Sequence, residues 1–335
     1  MKNFKIAKIQ QQLKDKAIDA LIINRTDEFL NEYIPPDAER LSWATNFSGS
    51  AGRAIINQNT SSLFVDGRYT FQAKEQIDID MISLLHWNDF SEELKKNFKK
   101  NKCVALDPML HSIEEVNKII ELADENETKL YFTKPNLIDE LWIDKPERKY
   151  SVIFNHPINY AGIDASNKVD QLVKELKSNN LDSYFLSSLD SIAWLLNIRA
   201  DDILHTPLAF SYLFISVENK PILYLSIEKL NTDLKNRLSN FLNLQPIEEI
   251  ENIFENLTKK LKVGFDYKNT SYFFYDLALG NDLVPSNLQN PCLIPKATKN
   301  ETELEGSRKA HLRDGVSITK SVSYTHLTLP TTPYV

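Results

Sequence analysis

The chain has 335 residues, a length that exceeds one ordinary core and indicates two domains, or two and the start of a third. Hydrophobic residues make up 42% and charged residues 25%, so most of the chain can bury enough surface to fold. The net charge of -7 disfavours a nucleic-acid partner, whose phosphates attract basic surfaces.

The cysteine pattern and the absence of targeting signals indicate the cellular compartment of the protein. Cys103 and Cys292 have no Cys or His neighbours at metal-ligand spacing, which favours reduced thiols over a disulfide framework. The sequence shows neither the apolar run of a signal peptide nor one long enough to span a membrane. We therefore expect a cytoplasmic protein with no membrane partner.

The first half of the chain alternates between helical and strand patterns. Four apolar residues recur at helical spacing near the start: Ile6, Ile9, Leu13 and Ala17. The apolar run Ala20–Ile23 then predicts a buried strand. Further short apolar runs predict strands at Ala54–Ile56, Leu63–Val65, Cys103–Leu106 and Leu130–Phe132. A helical period at Ile113, Val116 and Ile120 lies between the last two strands.

The second half repeats this layout after a charged, proline-containing linker at Asp144–Pro157. Trp194–Ile198 repeats the Trp-x-x-Asn-apolar pattern of Trp43–Phe47, and Val263–Asp266 resembles Val104–Asp107. These similarities indicate an internal duplication, although short matches of this kind also arise by chance. Helices that alternate with strands predict an α/β fold in which helices cover both faces of each sheet.

We predict domain boundaries from these patterns. The first domain covers residues 1–150, the second covers 151–295, and a third unit begins at 296–320. In that third unit Asn300 and Glu303 have the spacing of a helix capping box.

Residues 321–335 differ in character from the rest of the chain. From Val322 the sequence Val-Ser-Tyr-Thr-His-Leu-Thr-Leu-Pro-Thr is similar to the translation of a sequencing-library adapter. We expect this tail to be non-native and exclude it from the fold prediction.

The sequence contains no complete catalytic set. Its six histidines are scattered without metal-ligand spacing. Asp78 and Asp80 would share one face of a strand, which we interpret as a solvated face and not a metal site. Gly49–Gly52 lacks the lysine of a phosphate-binding loop and is interpreted as a tight turn. Ser50 is not within a Gly-x-Ser-x-Gly motif, which disfavours a serine hydrolase.

Two polar segments remain as candidate sites. Asp66–Tyr69 follows a predicted strand, and a turn is the simpler interpretation of this segment. In the functional interpretation, the guanidinium of Arg68 would offer its five N–H donors to a peptide carboxylate or carbonyl. Asp201, Asp202 and His205 precede Pro207, and an ordinary polar loop is the simpler interpretation. The residues alone favour a structural role for both segments.

Two motifs of the chain, Asn46–Gly52 and Asp66–Tyr69, are typical of a known family. Further segments match the same family in order: Glu32–Ile34, Asn136–Asp139, Leu189–Asn197, His205–Pro207, Phe210–Tyr212 and Lys299–His311. On these residues the chain resembles the amino-terminal region of cytosolic-type Xaa-Pro aminopeptidases over about residues 10 to 320.

This resemblance implies two similar creatinase-type amino-terminal domains, each a mixed sheet flanked by helices, and then the first helix of a "pita-bread" catalytic domain. That domain would hold two divalent metals, usually manganese, and remove an N-terminal residue that precedes proline. Its metal ligands, two aspartates, a histidine and two glutamates, have no counterpart here, so no metal site and no catalytic residue is expected in this chain. The resemblance makes Arg68 a substrate-binding residue and places His205 beside the same cleft.

Two functional hypotheses follow from these observations. In the first, the chain is an inactive, C-terminally truncated part of a cytoplasmic, homodimeric, manganese-dependent aminopeptidase that acts on proline-containing peptides. In the second, it is a free-standing module for dimerisation or peptide binding.

Overall fold

The computed structural model describes residues 4–255 and 257–328 and contains two six-stranded sheets. The strands of the first sheet are β1 (Ala20–Asn24), β2 (Gly52–Asn57), β3 (Ser61–Val65), β4 (Ser83–His86), β5 (Cys103–Leu106) and β6 (Lys129–Phe132). Its helices are α1 (Phe4–Asp15), α2 (Arg40–Thr45), α3 (Thr70–Gln76), α4 (Phe90–Lys100), α5 (Ile113–Glu125) and α6 (Leu137–Leu141). The strands and helices predicted for this half are confirmed with two exceptions: Ala17 lies beyond α1 with a φ of 52°, and Asp78 and Asp80 do not lie on a strand.

The second half begins with the short strand β7 (Phe154–Asn155), which pairs with β9 (Ile198–Arg199). Its sheet contains β8 (Ser183–Leu186), β10 (Ser211–Ser216), β11 (Ile222–Leu225), β12 (Asn243–Pro246), β13 (Lys262–Phe265) and β14 (Val284–Asn287). Its helices are α7 (Ile158–Ala161), α8 (Ala165–Ser178), α9 (Leu189–Leu196), α10 (Thr232–Ser239), α11 (Tyr272–Gly280), α12 (Leu293–Ala297) and α13 (Glu301–Thr328).

The two sheets have the same topology. Their strand orders are β4-β3-β2-β1-β5-β6 and β12-β11-β10-β8-β13-β14. In each sheet the second strand along the chain is antiparallel to both of its neighbours, and the remaining pairs are parallel. The chain is therefore an α/β protein made of two similar domains, as predicted, while the predicted boundaries stay predictions.

The strand registers give residue-by-residue equivalences between the domains. Ala20 pairs with Asn57 and Val104, whereas Ser183 pairs with Ser216 and Val263. Counting along β2 and β10 from these pairs places Arg53 of the first sheet at the position of Tyr212 in the second. Along β3 and β11 the same procedure matches Val65 with Leu225.

The repeated Trp-x-x-Asn pattern corresponds to the end of a helix. Asn46 ends α2 with a φ of 65°, and Asn197 ends α9 with a φ of 52°. Asparagine adopts this left-handed conformation more readily than most residues, which makes it a suitable residue after the last helical turn.

The inner faces of the two sheets share one core. Phe29, from the loop between β1 and α2, stacks on Phe210 at 5.3 Å and on Tyr212 at 4.6 Å between ring centroids. All three rings are buried, and burial of each contributes about 1.5–3 kcal/mol.

A nearly symmetric pair of hydrogen bonds joins the domains. Ile113 N donates to Thr270 O at 3.0 Å, and Tyr272 N donates to His111 O at 2.9 Å. These bonds lie beside the bridge between Ser112 and Ser271, the residues that precede α5 and α11. Equivalent segments of the two domains therefore meet at an approximate two-fold axis.

The capping box predicted at the start of α13 is confirmed. Glu303 N donates to Asn300 Oδ1, and Asn300 N donates to Glu303 Oε2, both at 3.0 Å. Asn300 Nδ2 also binds Ala161 O at 2.9 Å and so attaches α13 to the second domain. The predicted non-native tail overlaps the last turns of α13, and its residues 329–335 lie outside the described part of the chain. Among the described helices, none combines the length and apolarity needed to cross a membrane.

Candidate functional site

The candidate site lies at the edge of the first sheet where most strands end. Strands β1, β3, β4, β5 and β6 run in one direction and β2 runs in the other. Asn24, Asp66 and His86 therefore lie at the same edge as Gly52, the first residue of β2. In open α/β sheets ligands bind at the carboxyl ends of the strands, which directs attention to this edge.

Arg68 is presented in an exposed, pre-ordered conformation at this edge. Asp66 Oδ1 accepts hydrogen bonds from Arg68 N at 3.0 Å and Arg68 Nε at 2.9 Å. These bonds from Arg68 lower the pKa of Asp66, so the carboxylate stays charged. The Arg68 side chain is 70% exposed, and its remaining N–H donors are available to a ligand.

The turn before β2 supports this arginine through Tyr69. The Tyr69 hydroxyl and Ser50 Oγ are 2.7 Å apart, and the Tyr69 ring meets the Phe47 ring edge-on at 5.8 Å. A Cβ on Gly49 would lie 2.3 Å from the Phe47 ring. This close approach explains the glycine and agrees with a turn at Gly49–Gly52.

A cavity of about 310 Å³, here called the edge pocket, adjoins this turn. It is lined by Asn24, Arg25, Thr26, Leu30, Asn31, Glu32, Ser50, Ala51, Gly52, Arg53, Trp87, Leu110, Ser112, Glu115 and Lys268. Arg53 Nη1 and Glu115 Oε1 are 2.9 Å apart, and the Arg53 guanidinium lies 4.7 Å from the Trp87 ring and 5.0 Å from the Phe90 ring. A larger cleft of about 810 Å³ between α4 and α5 is also lined by Arg53 and Glu115, and both clefts are open to solvent.

Asp27 holds the loop that closes one side of the edge pocket. Its Oδ1 accepts hydrogen bonds from Phe29 N and Asn31 N, and its Oδ2 accepts one from Asn31 Nδ2. The side chain is buried, and this burial raises the pKa of Asp27 to about 6. The Asp27 bonds fix the path of the loop between β1 and α2.

Sequence reasoning missed Arg25, Arg53 and Trp87. Arg25 directly follows a buried strand, and this position at the strand end was an available signal. Arg53 and Trp87 come together only through the pairing of β2 with β3 and of β3 with β4. Their meeting depends on strand order, which local patterns do not specify.

The other candidate residues have different surroundings. Asp202 accepts hydrogen bonds from Ser151 and from Phe210 N, so it holds the linker against the second domain. His205 lies in an exposed loop of that domain with a φ of 60°. Asp78 and Asp80 do not lie on a strand: they lie in a turn after α3, where Asp80 N donates to Asp78 Oδ1, and the strand assignment was wrong.

Over residues 4–255 and 257–328, no three His, Cys, Asp or Glu side chains lie close enough together to hold a metal ion.

The fold defines a two-domain α/β protein with the same strand order in both domains. Residues 5–140 and 144–303 each match the Creatinase/Prolidase N-terminal domain family. The chain belongs to this family.

Similar proteins match nearly all of the chain. A probable Xaa-Pro aminopeptidase P of Penicillium rubens is 33% identical over 330 residues, which is 94% of this chain and 53% of the relative. A probable Xaa-Pro aminopeptidase P of Paracoccidioides brasiliensis is 30% identical over 335 residues, with 94% and 54% covered. The chain thus spans about half the length of the curated relatives it matches.

A solved structure supports the fold of both domains together. X-prolyl aminopeptidase from Caenorhabditis elegans, a cytosolic enzyme with a di-nuclear active site, superposes with a TM-score of 0.87. The match covers 97% of this chain and 56% of that one, at 23% sequence identity. At this identity the comparison establishes a shared fold.

Proposed function

We propose that the two domains are the amino-terminal, substrate-binding part of a metal-dependent Xaa-Pro aminopeptidase, which removes an N-terminal residue that precedes proline. The observation that carries this proposal is the exposed guanidinium of Arg68 at the edge of the first sheet. The chain is also similar over 94% of its length to probable Xaa-Pro aminopeptidases. Arg68 binds the peptide, and its exposed donors suit a carbonyl or carboxylate oxygen.

In this proposal the chemistry belongs to residues outside this chain. The complete enzyme holds two divalent metal ions, taken to be manganese, in a catalytic domain whose first helix is α13. His205 borders the substrate cleft of the assembled protein. The complete enzyme is a cytoplasmic homodimer, and the present chain alone does not hydrolyse peptides.

The alternative is a free-standing module that binds peptides without cleaving them. The observation that favours it is that Arg68, its support from Asp66 and Tyr69, and the edge pocket all lie within the described residues. Such a module requires no further domain for binding.

Reading the genomic DNA across and beyond codon 319 separates the two hypotheses. The aminopeptidase proposal expects an in-frame continuation that encodes two aspartates, a histidine and two glutamates as metal ligands. The expressed product should then cleave an Xaa-Pro peptide with manganese, whereas the present chain should not.

In that product Arg68→Ala should lower kcat/KM by about tenfold or more, as expected when a charged contact to the substrate is lost. Peptide hydrolysis by the present chain, or unchanged kinetics of the variant, would contradict these assignments.

A further inference from the structure

The ion pair of the edge pocket is not repeated at the equivalent positions of the second domain. In the second domain the positions of Arg53 and Glu115 are taken by Tyr212 and Phe274, as counted from the strand registers and from the Ser112–Ser271 pair. These two rings pack against each other at 5.1 Å within the shared aromatic core. The same place in the repeated fold is therefore filled with aromatic rings in one domain and holds an ion pair beside a cavity in the other.

Two buried polar atoms of pocket-lining residues lack a hydrogen-bond partner. Asn24 is 7% exposed, and its Oδ1 has no partner within the described residues. Arg25 Nε is also buried and unpaired, although Arg25 Nη2 binds Glu39 and Nη1 binds Glu32 O. A buried acceptor and a buried donor without partners each cost free energy unless a polar ligand or water binds them.

Three cations and two carboxylates line the pocket, and this excess of positive charge favours a ligand with a negative charge. The cations are Arg25, Arg53 and Lys268, and the carboxylates are Glu32 and Glu115. Stacking between Trp87 and Phe90 holds the Arg53 guanidinium in place, and only Nη1 bonds to Glu115, so other N–H donors remain for a ligand. Lys268 reaches the same cavity from the second domain, and no carboxylate of the described residues lies within ion-pair distance of its ammonium. Its charge acts at longer range on Glu114, whose pKa is lowered by Lys118 and also by Lys268. A guanidinium beside an ammonium suits a carboxylate.

Arg68 does not line the pocket, but one hydrogen bond links the pocket lining to the neighbouring residue Tyr69. Ser50 lines the pocket, and its Oγ lies 2.7 Å from the hydroxyl of Tyr69, the residue next to Arg68. The volume of 310 Å³ is near the lower end of the range of about 300–1,000 Å³ typical of small-ligand sites. A peptide end of a few residues therefore matches both the size and the position of the cavity.

We propose that the edge pocket binds the carboxyl-terminal end of a short peptide. Arg53 and Lys268 bind the terminal carboxylate, Asn24 and Arg25 bind main-chain groups, and Arg68 contacts the peptide nearer its amino end. This inference rests on the proposed function, and it adds that short peptides with a free carboxylate are the substrate class.

Fluorine NMR of the present chain, labelled with fluorotryptophan, tests this proposal. Of the four tryptophans only Trp87 lines the pocket, so the signals of Trp43, Trp142 and Trp194 serve as internal controls. The probes are the tetrapeptide alanyl-prolyl-alanyl-alanine and its C-terminal amide, and Trp87→Phe assigns the signal. The free acid should shift the Trp87 signal and bind about tenfold more tightly than the amide, because a charged hydrogen bond is lost on amidation.

Lys268→Gln should weaken binding of the free acid by about tenfold and leave binding of the amide unchanged. Lys259→Gln, at another exposed lysine of the same domain, is the matched control and should bind like the wild type. Equal binding of the acid and the amide, or shifts in all signals except that of Trp87, would overturn the proposal. Because the readout is binding and not turnover, a gene product without peptidase activity would contradict the proposed function but leave the pocket result standing.

Discussion

The two domains have the same strand order but differ at the edge where their strands end. In the first domain Arg68 stands at the second position of the short helical turn Gly67–Tyr69. The register places Glu228 at the corresponding position, in the turn Ile227–Lys229 of the second domain. Asp66 binds Arg68, whereas Ser226 binds Glu228, so the same local geometry presents opposite charges.

The connections next to the sheets differ as well. The first domain inserts the loop 25–39 between β1 and α2, whereas in the second domain α9 begins at Leu189, soon after β8 ends at Leu186. The inserted loop supplies Arg25, part of the edge pocket, and Phe29, which packs into the shared core. The comparison shows that one strand order accommodates either a polar site, as in the first domain, or aromatic core residues, as at the equivalent positions of the second.

The largest expected effect on stability is for the aromatic core residue Phe274 of the second domain. Phe274 is fully buried, with ring centroids 4.4 Å from Phe185 and 5.1 Å from Tyr212. Phe274→Ala should lower the free energy of unfolding by about 4 kcal/mol, because it removes a large core side chain and leaves a cavity. At the equivalent position of the first domain, Glu115→Gln should cost about 1 kcal/mol. Urea denaturation of both variants measures the contrast, and equal losses would refute the assigned difference between the domains.

The second prediction concerns the ion pairs that hold the inserted loop. Arg148 lies 2.6 Å from Glu28 Oε1 and 2.7 Å from Asp37 Oδ2, and its side chain is 17% exposed. Arg148→Ala should lower the free energy of unfolding by about 3 kcal/mol, because two largely buried carboxylates lose their partner. Lys118→Ala, which removes an exposed ion pair with Glu114 on α5, is the control and should change stability by less than about 1 kcal/mol.

The Arg148 contribution should also depend on pH. Burial would raise the pKa of Glu28, but the charge and hydrogen bond of Arg148 outweigh it and lower the pKa below its ordinary value. Stability from a lowered carboxyl pKa is present above the ordinary pKa and is lost as the pH falls through the lowered one. The difference between wild type and Arg148→Ala should therefore shrink on acidification. A difference that grows toward low pH would contradict this sign.

Local patterns in the sequence predicted much of the fold but little of the site. The apolar runs at Ala20–Ile23 and Cys103–Leu106 predicted strands because both are buried in the middle of a sheet. Arg68 stood out because it lies in the motif Asp66–Tyr69, which follows a strand and is one of the motifs that carry the resemblance to Xaa-Pro aminopeptidases. The pair Arg53–Glu115 was not predictable, because 62 positions separate its members and only the sheet order brings them together. The role of a charged residue within an apolar strand cannot be predicted until the residues that contact it in the folded sheet are known.

The third prediction uses the two asparagines that end α2 and α9. Asn197 accepts a hydrogen bond from Lys168 Nζ at 2.8 Å and donates one to Ile163 O at 2.9 Å. Asn197→Ala should therefore cost about 2–3 kcal/mol, of which about 1 kcal/mol reflects the left-handed backbone. Asn46→Ala should cost only that backbone part, about 1 kcal/mol, and Asn46→Gly should be nearly neutral. If Asn197→Gly restored wild-type stability, the side-chain bonds would have no role.

The smallest effect on stability, and the most selective effect on binding, is expected for Arg68 and its counterpart Glu228. Both side chains belong to exposed turns, so Arg68→Ala and Glu228→Ala should leave the urea midpoint unchanged. Only Arg68→Ala should weaken binding of an Xaa-Pro tetrapeptide, by about tenfold, since a cation stands at this position in the first domain and the anion Glu228 stands there in the second. Titration of both variants by calorimetry measures this difference. Equal weakening by the two variants would place the peptide between the domains' edges, and no weakening by either would remove Arg68 from the binding site.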